Sequence, residues 1–235
     1  MCRVRNLAVR GLRTIVGPFV PQRLRLPFQY RLARLDGCEP ELSQLHRLGP
    51  NRGVAIDAGA NEGLFSYRLA RLYDRVHAFE INPVLASQLR QWRSRRLEVH
   101  PVGLSSREGG GTLYTPFFRG RRLNGWASLE PGNCPNAERY EETKVIVRPL
   151  DSFELQGVTF MKADVEGHEQ ELLAGAQETI RRNRPVVLLE VKPPNRDAVR
   201  KFFEQLGYGE RRLRDLIGIE GSEENYIYVP DPEKR

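Results

Sequence analysis

Residues 54–63 read VAIDAGANEG, and the fold follows from this stretch. Val54 to Asp57 is a short apolar run of the kind that forms a buried strand. Gly59 and Gly63 then let the backbone turn sharply and bring a ligand close to the N-terminus of the next helix. Leu64, Phe65, Leu69, Leu72 and Tyr73 mark the inward face of that helix. Strand, glycine turn and helix in this order begin an α/β sheet, and open α/β sheets bind ligands beyond the carboxyl ends of their strands.

The turn is not built for phosphate. It has no Gly-Lys-Ser/Thr, and a G-x-G-x-x-G fingerprint would need glycine where Asp57 stands. An acid there repels a pyrophosphate and suits a ligand carrying an amino group or a positive charge. Glu80 ends the second strand, 23 residues after Asp57, close to the spacing of about 20 at which an acid bonds ribose hydroxyls. The pair describes a nucleoside with a cationic, phosphate-free tail, and S-adenosylmethionine fits that description.

Outward from this centre the alternation repeats. The spacing predicts a strand over Arg75 to Glu80 and a helix from Asn82-Pro83 through Trp92. A third strand is expected within Leu97 to Leu104, then extra strands at Thr112 to Thr115 and Lys144 to Arg148. The 28 residues between these, Pro116 to Thr143, read as a long substrate-covering loop. Beyond them lie a strand over Val158 to Asp164, a helix over His168 to Arg182 and a buried strand over Pro185 to Val191. A helix over Asn195 to Leu206 and a strand over Asn225 to Val229 close the pattern. Strands alternating with helices in this way mean a doubly wound, mainly parallel sheet.

Composition limits the rest. With 235 residues, 40% apolar and 29% charged, the chain supports one globular domain, residues 51–235, preceded by an extension, residues 1–50. The longest apolar runs hold four residues, Val186 to Leu189 and Tyr226 to Val229, against about 20 for a membrane span. The net charge of +7 is concentrated at the start: residues 1–35 carry eight arginines and no acid. Val4, Leu7, Ala8, Leu12, Ile15 and Val16 give this arm the spacing of an amphipathic helix. Two readings follow, a solvated basic face capping the domain and a face meeting anionic lipid or a partner. A further helix is expected over Glu41 to Leu48. Cys2, Cys38 and Cys134 show neither a disulfide framework nor a C-x-x-C spacing. A cytoplasmic protein is expected, with peripheral contact at the inner membrane surface as the arm's second reading.

The fourth strand ends in MKADVEGHE, Met161 to Glu169. Asp164, Glu166, His168 and Glu169 crowd the lip of the sheet, more titratable groups than a helix cap requires. VAIDAGANEG, HAFEINP, LDSF at Leu150 to Phe153, MKADVEGHEQELLAGA and RPVVLLEV together resemble, in order and spacing, the FkbM family of S-adenosylmethionine-dependent methyltransferases. The resemblance spans about residues 51–230 and implies a class I methyltransferase (Rossmann-like) fold. It also implies methyl transfer to a hydroxyl of a small molecule, sugar, glycolipid or natural product.

Carried over by position, it places Asp57, Gly59, Asn61 and Gly63 around the methionine part of the cofactor, Glu80 on the ribose, and Gly103 and Leu104 beside adenine. Asp164, Glu166 and His168 fall at the methyl-transfer site. The sequence departs from the family at Ile81, often proline, and at Ala163, usually a larger aliphatic. Asp164 is then either the base or the ligand of a divalent cation such as magnesium, with Glu166 and Glu190 completing that carboxylate set. His168 is a second candidate base. Two alternatives stand beside O-methylation: an RNA or protein acceptor, and a membrane-associated scaffold without activity. The site lacks the Asn-Pro-Pro-aromatic tetrad of nitrogen methyltransferases acting on bases, so nucleic acid is not the expected partner.

Overall fold

The computed structural model describes residues 19–36 and 39–233. The arm's expected helix over Val4 to Val16, together with Cys2 and Cys38, lies outside the described residues. Cys134 is buried and free. The first element is a helix the spacing did not reveal, α1 (Gln22–Asp36), which carries Pro27 inside it. Proline removes one helical hydrogen bond, so a reader of sequence breaks the helix there. It is followed by the short α2 (Pro40–Gln44) and a 3₁₀ turn, Leu45–Arg47, in place of one helix over Glu41 to Leu48.

The domain then begins as expected, with β1 (Val54–Ala58), α3 (Leu64–Leu69), β2 (Arg75–Phe79) and α4 (Pro83–Gln91). Asn82 caps α4 by accepting from the amides of Val84 and Leu85. The expected third strand divides at Pro101 into β3 (Leu97–His100) and β4 (Gly103–Leu104), which join different sheets. β5 (Gly109–Phe118) and β7 (Arg139–Arg148) form a long hairpin in register from Gly109↔Val147 to Phe117↔Arg139, with β6 (Arg121–Arg122) beside β5. Of the 28-residue loop expected over 116–143, β5 takes residues 116–118 and β7 residues 139–143, and the remaining stretch, residues 119–138, connects the two strands and carries only β6 and a 3₁₀ turn, Asn124–Trp126. The extra strands expected at Thr112 to Thr115 and Lys144 to Arg148 lie within β5 and β7, and the residues that lengthen them, 109–111 and 139–143 among them, carry no apolar alternation.

β8 (Val158–Ala163) returns to the main sheet. The helix expected over His168 to Arg182 breaks into α5 (Glu169–Ala174) and α6 (Gln177–Asn183) at Gly175. A side chain on Gly175 would stand 2.0 Å from the Ser105 carbonyl oxygen, so the break is a close approach of two backbones. β9 (Val186–Glu190), α7 (Arg196–Gln205), β10 (Tyr208–Arg211), α8 (Leu213–Ile217) and β11 (Asn225–Pro230) complete the chain.

The main sheet runs β10-β11-β9-β8-β1-β2-β3, with β9, β8, β1, β2 and β3 parallel and β11 antiparallel to both its neighbours. This is the doubly wound, mainly parallel arrangement expected. Alternate residues of each strand enter cores on opposite faces: Ile56 and Met161 on one, Ala55 and Phe160 on the other. From β1 the chain winds outward through β2 and β3, then crosses to β8 on the other side of β1. Strand order reverses between β1 and β8, and there the sheet opens a crevice.

Candidate active site

At that crevice the ends of β1 and β8 almost touch. Gly59 has φ +73°, and a Cβ on it would lie 1.8 Å from the Asp164 carbonyl oxygen. Only glycine permits the approach, which the Asp164 amide secures by donating to the Ala58 carbonyl at 3.0 Å. Two residues on, Asn61 is also left-handed at φ +51° and donates its amide to Glu80 Oε2 at 2.5 Å. Glu80 Oε1 accepts from the Asn82 amide at 2.7 Å. Glu80 thus ties the turn after β1 to the turn after β2. It is 5% exposed, and burial pushes its carboxyl up to about 7 despite the two amide donors.

A cleft of about 630 Å³ opens beside these turns. Phe79, Ile81, Leu85, Val102 and Leu104 make its apolar wall, Glu80 stands within it, and Gly103 lines it without a side chain. A Cβ on Gly103 would lie 2.4 Å from the tip of Ile81. The hairpin tip supplies a roof through Asn124, Gly125 and Ala127 to Leu129. Three contacts tie that roof to the turn after β8. Ser128 Oγ donates to the Glu166 carbonyl at 2.6 Å, Glu130 meets His168 Nδ1 at 2.7 Å, and Asn133 reaches the Glu166 carboxylate at 3.4 Å.

A second, larger cleft of about 1400 Å³ adjoins the first, and Gly59, Asn61, Asn124, Gly125 and Asp164 line both. Its other walls are charged: Glu39, Glu41, Glu62 and Glu190 join Asp164 against Lys162 and Arg122. Burial raises the carboxyls of Glu39 and Glu190 above the usual range. At the junction, Asp164 Oδ1 and Asn124 Oδ1 are buried without a hydrogen-bond partner. Two unsatisfied acceptors on residues that line both clefts are what a ligand with hydroxyl, ammonium or sulfonium groups would complete.

The residues singled out from sequence fall into distinct places. Gly59, Asn61, Glu80, Gly103, Leu104, Asp164, Glu166 and His168 all line the first cleft. Asp57, expected beside the cofactor, lies instead beneath the turn and is fully buried. It accepts from Ser66 Oγ at 2.5 Å and lies 3.8 Å from Lys162 Nζ. Its position within β1 points the carboxylate at the face covered by α3, which carries Ser66. Gly63 does not line the cleft either; a Cβ there would lie 2.3 Å from Leu89 Cδ1, so it serves helix packing. His168 has both ring nitrogens engaged, Nδ1 by Glu130 and Nε2 by Ser105 at 3.0 Å.

Asp164, Glu166 and Glu190 do converge, with carboxylate oxygens within 4.8 Å of one another. Between them stands a residue absent from the sequence reading, Lys192, whose Nζ lies 3.2 Å from Glu166 and 2.7 Å from Glu190. Burial, then Asp164, lifts Glu166 to about 7. Lys162 was also missed. Its ammonium lies 3.7 Å from Asp164, 3.8 Å from Asp57 and 3.3 Å from the Gly59 carbonyl. Burial opposes its charge, but Asp164 and Asp57 outweigh that and hold its pKa above the ordinary value. Its signal in the sequence was a lysine inside an otherwise apolar strand, VTFMKA.

The chain resembles a methyltransferase FkbM from Methylobacillus flagellatus at 16% identity and a TM-score of 0.51, over 93% of this chain. It spans 58% of that protein's length. A TehB-like SAM-dependent methyltransferase from Corynebacterium glutamicum is similar at 11% identity and a TM-score of 0.47, over 89% of this chain and 98% of the other. An rRNA methylase from Streptococcus thermophilus follows at 12% identity and a TM-score of 0.46, over 80% and 92%. A search of curated proteins finds no match. The sequence model of the methyltransferase FkbM domain matches residues 57–209, more than half of the chain. The chain belongs to the FkbM family of S-adenosylmethionine-dependent methyltransferases.

Proposed function

We propose that this protein transfers a methyl group from S-adenosylmethionine to a hydroxyl of a small-molecule or glycan acceptor. The observation that carries this reading is the junction of the two clefts at Asp164, whose Oδ1 is buried and unpartnered. The first cleft suits the cofactor part by part. Its apolar wall takes a purine, Glu80 accepts from ribose hydroxyls, and Asn61 and Asp164 stand at the end nearest the second cleft, where the methionine portion belongs. When bound, the cofactor supplies an electrophilic methyl on a sulfonium.

The second cleft receives the acceptor. A neutral alcohol is a poor nucleophile, so the site must align it and give its proton a destination. Asp164 lines both clefts and takes that proton, while Lys162, 3.7 Å from the same carboxylate, sets a compensating positive charge beside it. His168, held by Glu130 and Ser105, ties the roof to the site. Asp164, Glu166 and Glu190 would suit a hard cation by donor type, but the Lys192 ammonium already balances two of the three. No step in this account passes through a metal.

The wall of the second cleft bears on the acceptor's chemistry. Five carboxyl side chains against two basic ones repel phosphates and offer acceptors to hydroxyl or ammonium groups. A neutral glycoside or amino sugar fits, whereas an RNA backbone does not. An acceptor screen with radiolabelled methyl donor tests this directly. Incorporation into neutral or amine-bearing polyols, with none into their phosphorylated counterparts or into RNA, is the expected result. Incorporation into RNA alone would overturn it.

A further inference from the structure

Away from both clefts the molecule carries a surface that methyl transfer does not use. Two segments, residues 19–35 and 83–97, hold eight arginines and no acid. On α1, Arg23, Arg31 and Arg34 are exposed, and with them stand Leu24 at 50% and Leu35 at 70% exposure. Their spacing places all five within an arc of about 120°, and Leu26, Tyr30 and Leu32, which are buried, lie outside it. Phe19, just before the helix, is 84% exposed. Large apolar side chains alternating with arginines along an outward face are not what water alone selects.

The second segment abuts the first. Arg25, Leu26 and Gln29 of α1 share a groove with Gln88, Gln91 and Trp92, and Glu62 is the acid that lines it. The Trp92 ring packs on Tyr67, which packs on Tyr30 of α1. On the far side of Trp92, Arg90, Arg93 and Arg95 rim a hollow floored by Leu97 and Val99. Arg90 is steadied there by donating to the Val99 carbonyl at 3.0 Å. Cationic rims over apolar floors match the phosphate and upper acyl region of an anionic lipid.

We infer that α1 and the turn after α4 form a docking face for an anionic phospholipid bilayer. The arginines meet lipid phosphates, and Phe19, Leu24 and Leu35 enter the interface between headgroups and chains. No helix among the described residues is long and apolar enough to cross a membrane, so the contact is peripheral. Glu39 and Glu41, three and five positions after the last residue of α1, line the acceptor cleft. Docking would therefore hold that cleft beside the bilayer and favour a lipid-borne acceptor. This last consequence rests on the functional reading above; the docking itself does not.

The test uses the full chain and needs no turnover. Sedimentation with vesicles of phosphatidylcholine alone, and of phosphatidylcholine with phosphatidylglycerol, measures partitioning. The wild type should prefer the anionic vesicles at least about tenfold, and salt should weaken the binding. Each arginine near such a surface is worth about fivefold, so R23E/R31E/R34E should lose about a hundredfold. Replacing Leu24→Ser and Leu35→Ser together should lose about tenfold through the apolar contribution. All five positions are exposed, and an unchanged unfolding midpoint would confirm that the variants fold. Equal partitioning of wild type and the arginine variant would overturn the inference. So would indifference to vesicle charge, or binding of a single-stranded RNA with none to vesicles.

Discussion

The two clefts share five residues yet are made in different ways. The first is assembled from strand ends: β1, β2 and β8 each deliver one turn, and backbone amides hold Glu80 between two of them. The second is walled by side chains from remote segments, Glu39 and Glu41 before the sheet, Arg122 on the hairpin, Glu190 on β9 and Asn225 on β11. The first sets three acids, Glu80, Asp164 and Glu166, against an apolar wall, whereas the second sets five carboxylates against two basic side chains. On the proposed function, a cofactor common to a whole family is met by local geometry that the fold itself imposes, and an acceptor particular to one protein by parts the fold leaves free to vary.

The sharpest way to break this contrast is at the residue both clefts need. Gly59→Ala would force a Cβ to within 1.8 Å of the Asp164 backbone at a φ of +73°. We expect a loss of about 4 kcal/mol or more in urea unfolding, or no folded protein. Asp164→Asn tests the division of labour instead. Methyl transfer to any acceptor found in the screen should fall about a hundredfold or more, while S-adenosylhomocysteine affinity changes much less. If both fall together, Asp164 serves binding and the proposed base role is wrong.

Gly63 offers a milder comparison with Gly59, because a Cβ there would meet the flexible end of Leu89, not backbone. Gly63→Ala should cost about 2 kcal/mol in the same unfolding measurement and leave cofactor affinity nearly intact. The smallest expected effect concerns pH. Glu80, raised to about 7 by burial, is largely protonated at pH 6, and the ionised form is the better acceptor for two ribose hydroxyls. Affinity for S-adenosylhomocysteine should therefore be about tenfold weaker at pH 6 than at pH 8. Glu80→Gln should flatten that profile. The same raised pKa means that Glu80 favours the folded state below pH 4.5, and that this contribution fades as pH rises through about 7.

What could be read in the sequence follows the same division. Strand, turn and helix around Val54 to Gly63, the acid at Glu80 and the cluster after β8 are local patterns, so periodicity and spacing exposed them. The acidic wall of the second cleft is not local: Glu39 and Glu190 are 151 positions apart in the chain. Lys192 belongs to no motif in the sequence, and only folding brings it to Glu166 and Glu190. Asp57 shows the opposite case. Its place at a strand end suggested a ligand contact, but alternation along β1 buries it against Ser66. The full length of the hairpin and α1 stayed hidden for simpler reasons, outer strand residues without apolar alternation in one and Pro27 in the other.

The central claim is that the cleft containing Glu80 binds the methyl donor. Calorimetric titration of the wild type and a folded Glu80→Ala variant with S-adenosylhomocysteine tests it most directly. The account predicts micromolar binding by the wild type and affinity at least about tenfold weaker in the variant, about 1.4 kcal/mol. No binding by the folded wild type, or equal binding by both proteins, would contradict it.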